Sequence, residues 1–169
     1  MSELSERVDR IRAVLAERPD GIKIAKFPPG RTTPPGDLPP GLADVLAITD
    51  GPRAGEIVVI SSANLAKDHF SLYGAEAIPD EDAASWTRFA TRLYEPVLVH
   101  NETGEVWWFP DTGVQWVDST AFEKLADNVE QFLTEYVLGP GYLRICVPDD
   151  GWARLLADLG WATGDPGRA

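Results

Sequence analysis

The stretch VLVHNETGEVWWFPDTG, residues 97–113, constrains the fold more than any other part of the chain. Short apolar runs flank two turns, NETG and PDTG, each closing on a glycine that can take positive φ. Turns this short join strands only as antiparallel neighbours, because a parallel pair needs a crossover of about a dozen residues or more. The pattern predicts a meander of three strands, Val97–His100, Glu105–Phe109 and Val114–Val117. Side chains alternate along a strand. Val106 and Trp108 therefore share one face, and Trp107 and Phe109 share the other. Both faces are apolar and both need a cover: helices on one, and further helices or a partner on the other.

The flanking sequence supplies the helices. Leu4, Val8, Ile11, Val14 and Leu15 recur at helical spacing, which predicts a helix over residues 3–18, ended by Pro19. Ile22, Ile24 and Phe27 read as a short strand. PPGRTTPPGDLPPG, residues 28–41, holds six prolines and is expected to be an extended connector. Pro39 and Pro40 suit the first turn of a helix buried through Leu42, Val45, Leu46 and Ile48 and stopped by Asp50-Gly51. GEIVVIS (55–61) and HFSLYG (69–74) read as strands. Trp86, Phe89, Ala90 and Leu93 predict a helix over 82–93, with Asp80, Glu81 and Asp82 complementing its N-terminal dipole. Ser119-Thr120 precedes a long periodic run through Phe122, Leu125, Val129, Phe132, Leu133 and Tyr136, with a capping box from Thr120 to Glu123. Tyr142–Val147 reads as a last strand, and Trp152, Leu155, Leu156 and Leu159 as a last helix. The expected class is α+β: a central antiparallel sheet flanked by N-terminal and C-terminal helices, in one domain over 1–162 with a frayed tail at 163–169.

Composition narrows the function. Fifteen basic residues against 27 acidic ones give a net charge of −12. Such a chain repels nucleic acid and anionic membrane, whose phosphates call for clustered Lys and Arg, and it favours a cationic partner. No run of eighteen apolar residues suggests a membrane span, and the N-terminus does not read as a signal peptide. With one cysteine, Cys146, no internal disulfide forms, which fits a reducing cytoplasm. His100-Asn101-Glu102 has the H-x-E form of a zinc deaminase, but the later P-C-x-x-C is missing. The two histidines give no H-E-x-x-H pair, and no Walker loop or G-x-S-x-G elbow occurs. No cofactor or metal site is expected. His100, at a strand end beside a turn, reads as structural. A hydrolase built on two carboxylates that meet in space stays open as a minor alternative.

Two stretches resemble the SUKH superfamily. LPPGLADVLAITDGP, residues 38–52, is similar to that family's opening helix, with Leu38, Pro39, Leu46, Thr49, Asp50 and Gly51 in place. FEKLADNVEQFLTEYV, residues 122–137, is similar to its closing helix, with the pair Phe132 and Leu133. The proline-rich connector and the segment after Gly139 depart from the pattern. The resemblance implies an α+β fold without shared catalytic residues. For most bacterial members it implies service as immunity proteins that bind toxins, nucleases and nucleic-acid deaminases among them.

Residues and resemblance together lead to one expectation: a non-enzymatic cytoplasmic immunity protein whose partner is a basic toxin domain. The candidate contacts are the acidic loops, Glu76 with Asp80, Glu81 and Asp82, and Asp149 with Asp150, which could mimic phosphate charge. Trp107 or Trp108 would anchor the centre, since indole is among the commonest hot-spot side chains. The alternative is a regulatory or scaffold module that uses the same fold on a host protein.

Overall fold

The computed structural model describes residues 1–33, 36–147 and 150–162. Among these, seven short strands form one antiparallel sheet whose spatial order is the chain order. They are β1 (Ala25–Lys26), β2 (Arg53–Ala54), β3 (Ile57–Val59), β4 (Trp86–Arg92), β5 (Glu95–His100), β6 (Val106–Trp108) and β7 (Glu123–Ala126). The helices are α1 (Glu3–Ala16), α2 (Gly21–Ile24), α3 (Leu42–Ile48), α4 (Ser62–Leu65), α5 (Val129–Gln131), α6 (Tyr142–Ile145) and α7 (Gly151–Asp158). A π-wound turn, Phe132–Val137, continues α5. The protein is α+β.

The two faces of the sheet are covered differently. On one, Ile57, Val59, Ala90, Val97, Val99 and Val106 pack under apolar stripes from the helices. These stripes are Leu4, Val8 and Ile11 of α1, Leu42, Val45 and Leu46 of α3, Phe132 and Leu133, and Trp152, Leu155 and Leu156 of α7. Each such side chain, fully buried, contributes about 1.5–3 kcal/mol. On the other face Leu98 and Phe109 meet Leu72, Ala75, Ile78 and Ala83, with Phe70, Trp86, Trp116 and Phe122 around them. Loops form that cover, chiefly the connections 60–85 and 109–122. An ion pair clamps the first of these to the sheet: Arg88 on β4 meets Asp68 with both fork nitrogens, at 2.6 and 3.1 Å, and lies over the Phe70 ring.

The Thr-Asp-Gly stop has a mechanical role. Asp50 accepts from the backbone N–H of Ser62 at 2.7 Å and from its hydroxyl at 2.8 Å, tying the end of α3 to the start of α4. Gly51 has φ +77°, and a Cβ there would lie 2.8 Å from that of Ser61. Only glycine suits the position. The proline-rich connector begins by lending carbonyls rather than N–H groups: Pro28 accepts from the Thr49 hydroxyl at 2.9 Å and Pro29 from the Asp50 amide at 3.3 Å.

Several expected elements take another form. The expected helix at 82–93 is a short 3-10 turn, Asp80–Ser85, followed by strand β4. A bulge between Arg88 and Ala90 is the cause. It inserts one residue, so Phe89 and Ala90 both join the helix-side core while Trp86 packs on the other face. A bulged strand therefore imitates helical spacing. Val114–Val117 is loop and 3-10 turn, and the strand beside β6 is β7, so the long helix begins at Val129 rather than after Thr120. Its cap is Asn128, whose side chain accepts from the Gln131 N–H at 2.8 Å, while Gln131 accepts from the Asp127 N–H at 2.7 Å. Tyr142–Val147 opens with the helical turn α6, held because the Tyr142 hydroxyl accepts from the Glu56 N–H and donates to Asp150. Gly55, at φ +55°, leaves room for that hydroxyl; a Cβ there would come within 2.1 Å of it. Ile22 and Ile24 lie in α2, and only Ala25–Lys26 is strand. Residues 69–74 form no strand, and Pro39-Pro40 precede α3, whose cap is Gly41.

Candidate functional site

The loop-covered face is incompletely filled. A groove of about 390 Å³ opens on it, walled by Trp86, Trp107, Phe122, Ile78 and Pro79, with Asp82, Ser85 and His100 as its polar members. The rings brace one another. Trp86 stands edge-on to Trp107 at 5.8 Å and to Phe122 at 5.1 Å, and Phe122 lies 5.1 Å from Trp107. Such pairs contribute about 0.5–1.5 kcal/mol beyond area burial, so the rings hold one another in place.

Local sequence explains each position. Trp86 opens β4, Trp107 sits mid-strand on β6, and Phe122 immediately precedes β7. The NETG turn holds the acidic segment in place: the Asn101 side chain donates to Ala84 O at 2.9 Å, and its backbone N–H to Ser85 O at 2.8 Å. His100 stands edge-on to Trp86, and its Nδ1 accepts from the backbone N–H groups of Glu102 and Thr103, both at 3.3 Å. The ring thus organises the turn through its Nδ1.

The rim is negative. Asp80, Glu81 and Asp82 are exposed in the 3-10 turn, and Asp80 also accepts from the Gly74 N–H at 2.9 Å. Glu76 is exposed too, its backbone fixed by a 2.9 Å bond from its N–H to Val117 O. On the far side Trp107 donates to Glu105 at 3.3 Å, and Lys124 bridges Glu105 and Asp127 at 3.0 and 2.7 Å. The bond from Lys124, followed by that from Trp107, holds the Glu105 carboxyl below its ordinary range.

Of the residues singled out from sequence, Asp82 and Trp107 line this groove, and Glu76, Asp80 and Glu81 lie in the segment that borders it. Trp108 faces the helices instead, with the Arg92 guanidinium 5.3 Å above its ring. Asp150 is a structural cap: its carboxylate accepts from the Ala153 N–H at 2.6 Å and from the Tyr142 hydroxyl. Asp149 lies outside the described residues. Trp86 and Phe122 were missed as site residues because their apparent helical spacing assigned them to buried helix faces. Cys146 is buried, and burial pushes its thiol well above the usual range. Among the described residues no group of three or more His, Cys, Asp or Glu could hold a metal ion, and no helix is long and apolar enough to cross a membrane.

The geometry defines an α+β protein with an acid-rimmed aromatic groove. No family model matches the chain, and no solved structure matches it. A stretch of 78 residues is 31% identical to NAD-dependent protein deacetylase 1 of Streptomyces coelicolor, covering 45% of this chain and 24% of that one. The chain thus spans about a quarter of that relative's length.

Proposed function

We propose that the chain is a SUKH-like immunity protein, a cytoplasmic binder that blocks a nucleic-acid-targeting toxin domain without catalysing a reaction. The aromatic groove bordered by Glu76, Asp80, Glu81 and Asp82 is the observation that carries this reading. A toxin that handles nucleic acid presents a basic surface to phosphate, and an indole wall with a carboxylate rim complements such a surface in shape and charge. A contact of about 800 Å² per partner centred on Trp107 is of ordinary size.

Growth rescue tests it. Cells expressing the toxin domain encoded beside this chain survive when the chain is co-expressed. Trp107→Ala removes most of the protection. Neutralising Asp80, Glu81 and Asp82 together slows association and flattens its salt dependence, while leaving stability within about 0.5 kcal/mol. Association at unchanged rate in low salt excludes the acidic turn from the interface. A second reading is a regulatory module acting on a host protein. It predicts a partner in cells that carry no toxin.

A further inference from the structure

A second cavity, of about 520 Å³, lies at the opposite side of the sheet, between the end of β4 and α6. Trp108, Pro110, Ile145 and Val147 give it an apolar wall, and Arg92 and Arg144 line it with Asp111. Arg144 is already paired with Glu135. Arg92 is only 8% exposed, its Nε is buried with no hydrogen-bond partner, and among the described residues its guanidinium reaches no carboxylate within ion-pair distance. Its guanidinium lies over the Trp108 ring and acts through space on the Cys146 thiol in the same cavity wall. Glu95 stands opposite in the strand register but acts on it only through space. A largely buried arginine with no ion-pair partner among the described residues is expensive to keep, the more conspicuous where it lines a cavity of ligand size, roughly 300–1,000 Å³.

We propose that this cavity binds a small organic monocarboxylate, whose carboxylate sits on the Arg92 fork and whose apolar body lies against Trp108, Pro110 and Ile145. The planar guanidinium matches a carboxylate edge with two parallel N–H donors. Asp111 and Glu95 nearby disfavour a phosphate dianion, and the apolar wall favours an acid with a hydrophobic body over acetate. This site is independent of the immunity reading and of the groove on the other face.

Calorimetric titration of the intact protein with benzoate, hexanoate, acetate, inorganic phosphate and the neutral isostere benzamide tests the assignment, with indole emission as a second readout. Benzoate and hexanoate are expected to bind about tenfold or more tighter than acetate, phosphate or benzamide, and to weaken with added salt. Arg92→Gln loses that preference, Arg144→Gln keeps it, and Trp108→Phe keeps binding but loses most of the emission change. Arg92→Gln also melts at or above the wild-type temperature, since it removes a largely buried charge with no ion-pair partner among the described residues. Benzamide or phosphate binding as well as benzoate overturns the proposal. So does the absence of saturable acid binding below about 10 mM, or unchanged binding by Arg92→Gln. Should that variant fail to fold, the benzoate-to-benzamide ratio on the wild-type protein decides alone.

Discussion

The two faces of one sheet divide the work of this molecule. The helix-covered face carries the larger core: Leu4, Ile11, Leu42, Leu46, Phe132 and Leu133 are fully buried there. The loop-covered face is aromatic and unfinished, with Trp86, Trp107 and Phe122 only half-buried around an open groove. Helices bring a continuous apolar stripe and satisfy their own backbone, so they can seal a face. Loops carry unpaired backbone groups that must reach water, and they leave gaps. The contrast places most of the buried core on the first face and the proposed contact surface on the second.

Mutations on the two faces should therefore separate stability from binding. The largest loss is expected at Trp152, 1% exposed, whose ring packs against Phe27 and whose Nε1 donates to Val137 O at 2.8 Å. Trp152→Ala lowers stability by about 3–5 kcal/mol in urea titration. Phe122→Ala, on the groove wall, costs roughly 2 kcal/mol, because a half-buried ring leaves a cavity that water can enter. It also abolishes partner binding, which a helix-face variant of equal destabilisation leaves intact. Equal binding losses from both variants would break the division. Tyr142→Phe takes a donor from Asp150 and an acceptor from the Glu56 N–H, at a cost of about 1 kcal/mol with binding unaffected.

The smallest effect concerns pH. Glu95 lines a cavity at the sheet end with Phe109 and Trp116, and burial there pushes its carboxyl above the usual range against the pull of Arg92. The folded chain holds that proton more tightly than the unfolded one. Its contribution is present in full below the unfolded value near 4.5 and is lost as pH rises through the folded value. Glu95→Gln should flatten the stability curve in that window and change nothing at the groove.

Elements that obey one periodicity were legible in the sequence. Helices α1, α3 and α7 and strands β5 and β6 lie where their spacing places them, as does the stop at Asp50-Gly51. Elements that mix periodicities were not. The bulge at Phe89 turned a strand into an apparent helix. Phe122, Leu125 and Val129 lie at helical spacing across a strand and a helix start, although Asn128 and Gln131 carried the true cap. The groove suffered most from this. Trp107 and Asp82 could be picked out by residue type alone, but the wall needs Trp86 and Phe122, which only the correct strands bring alongside. Arg92 gave no signal, because a lone arginine says nothing about whether a carboxylate will face it.

The borders of the sheet limit how another chain can approach. β1 offers two residues, one of them Lys26, and β7 offers four, beginning with the exposed pair Glu123 and Lys124. Brief, charged margins of this kind discourage a foreign polypeptide from zippering on as an eighth ribbon. The same shortness guards against fibrous stacking when the protein is concentrated, and it leaves side-chain contact as the route by which this molecule grips anything.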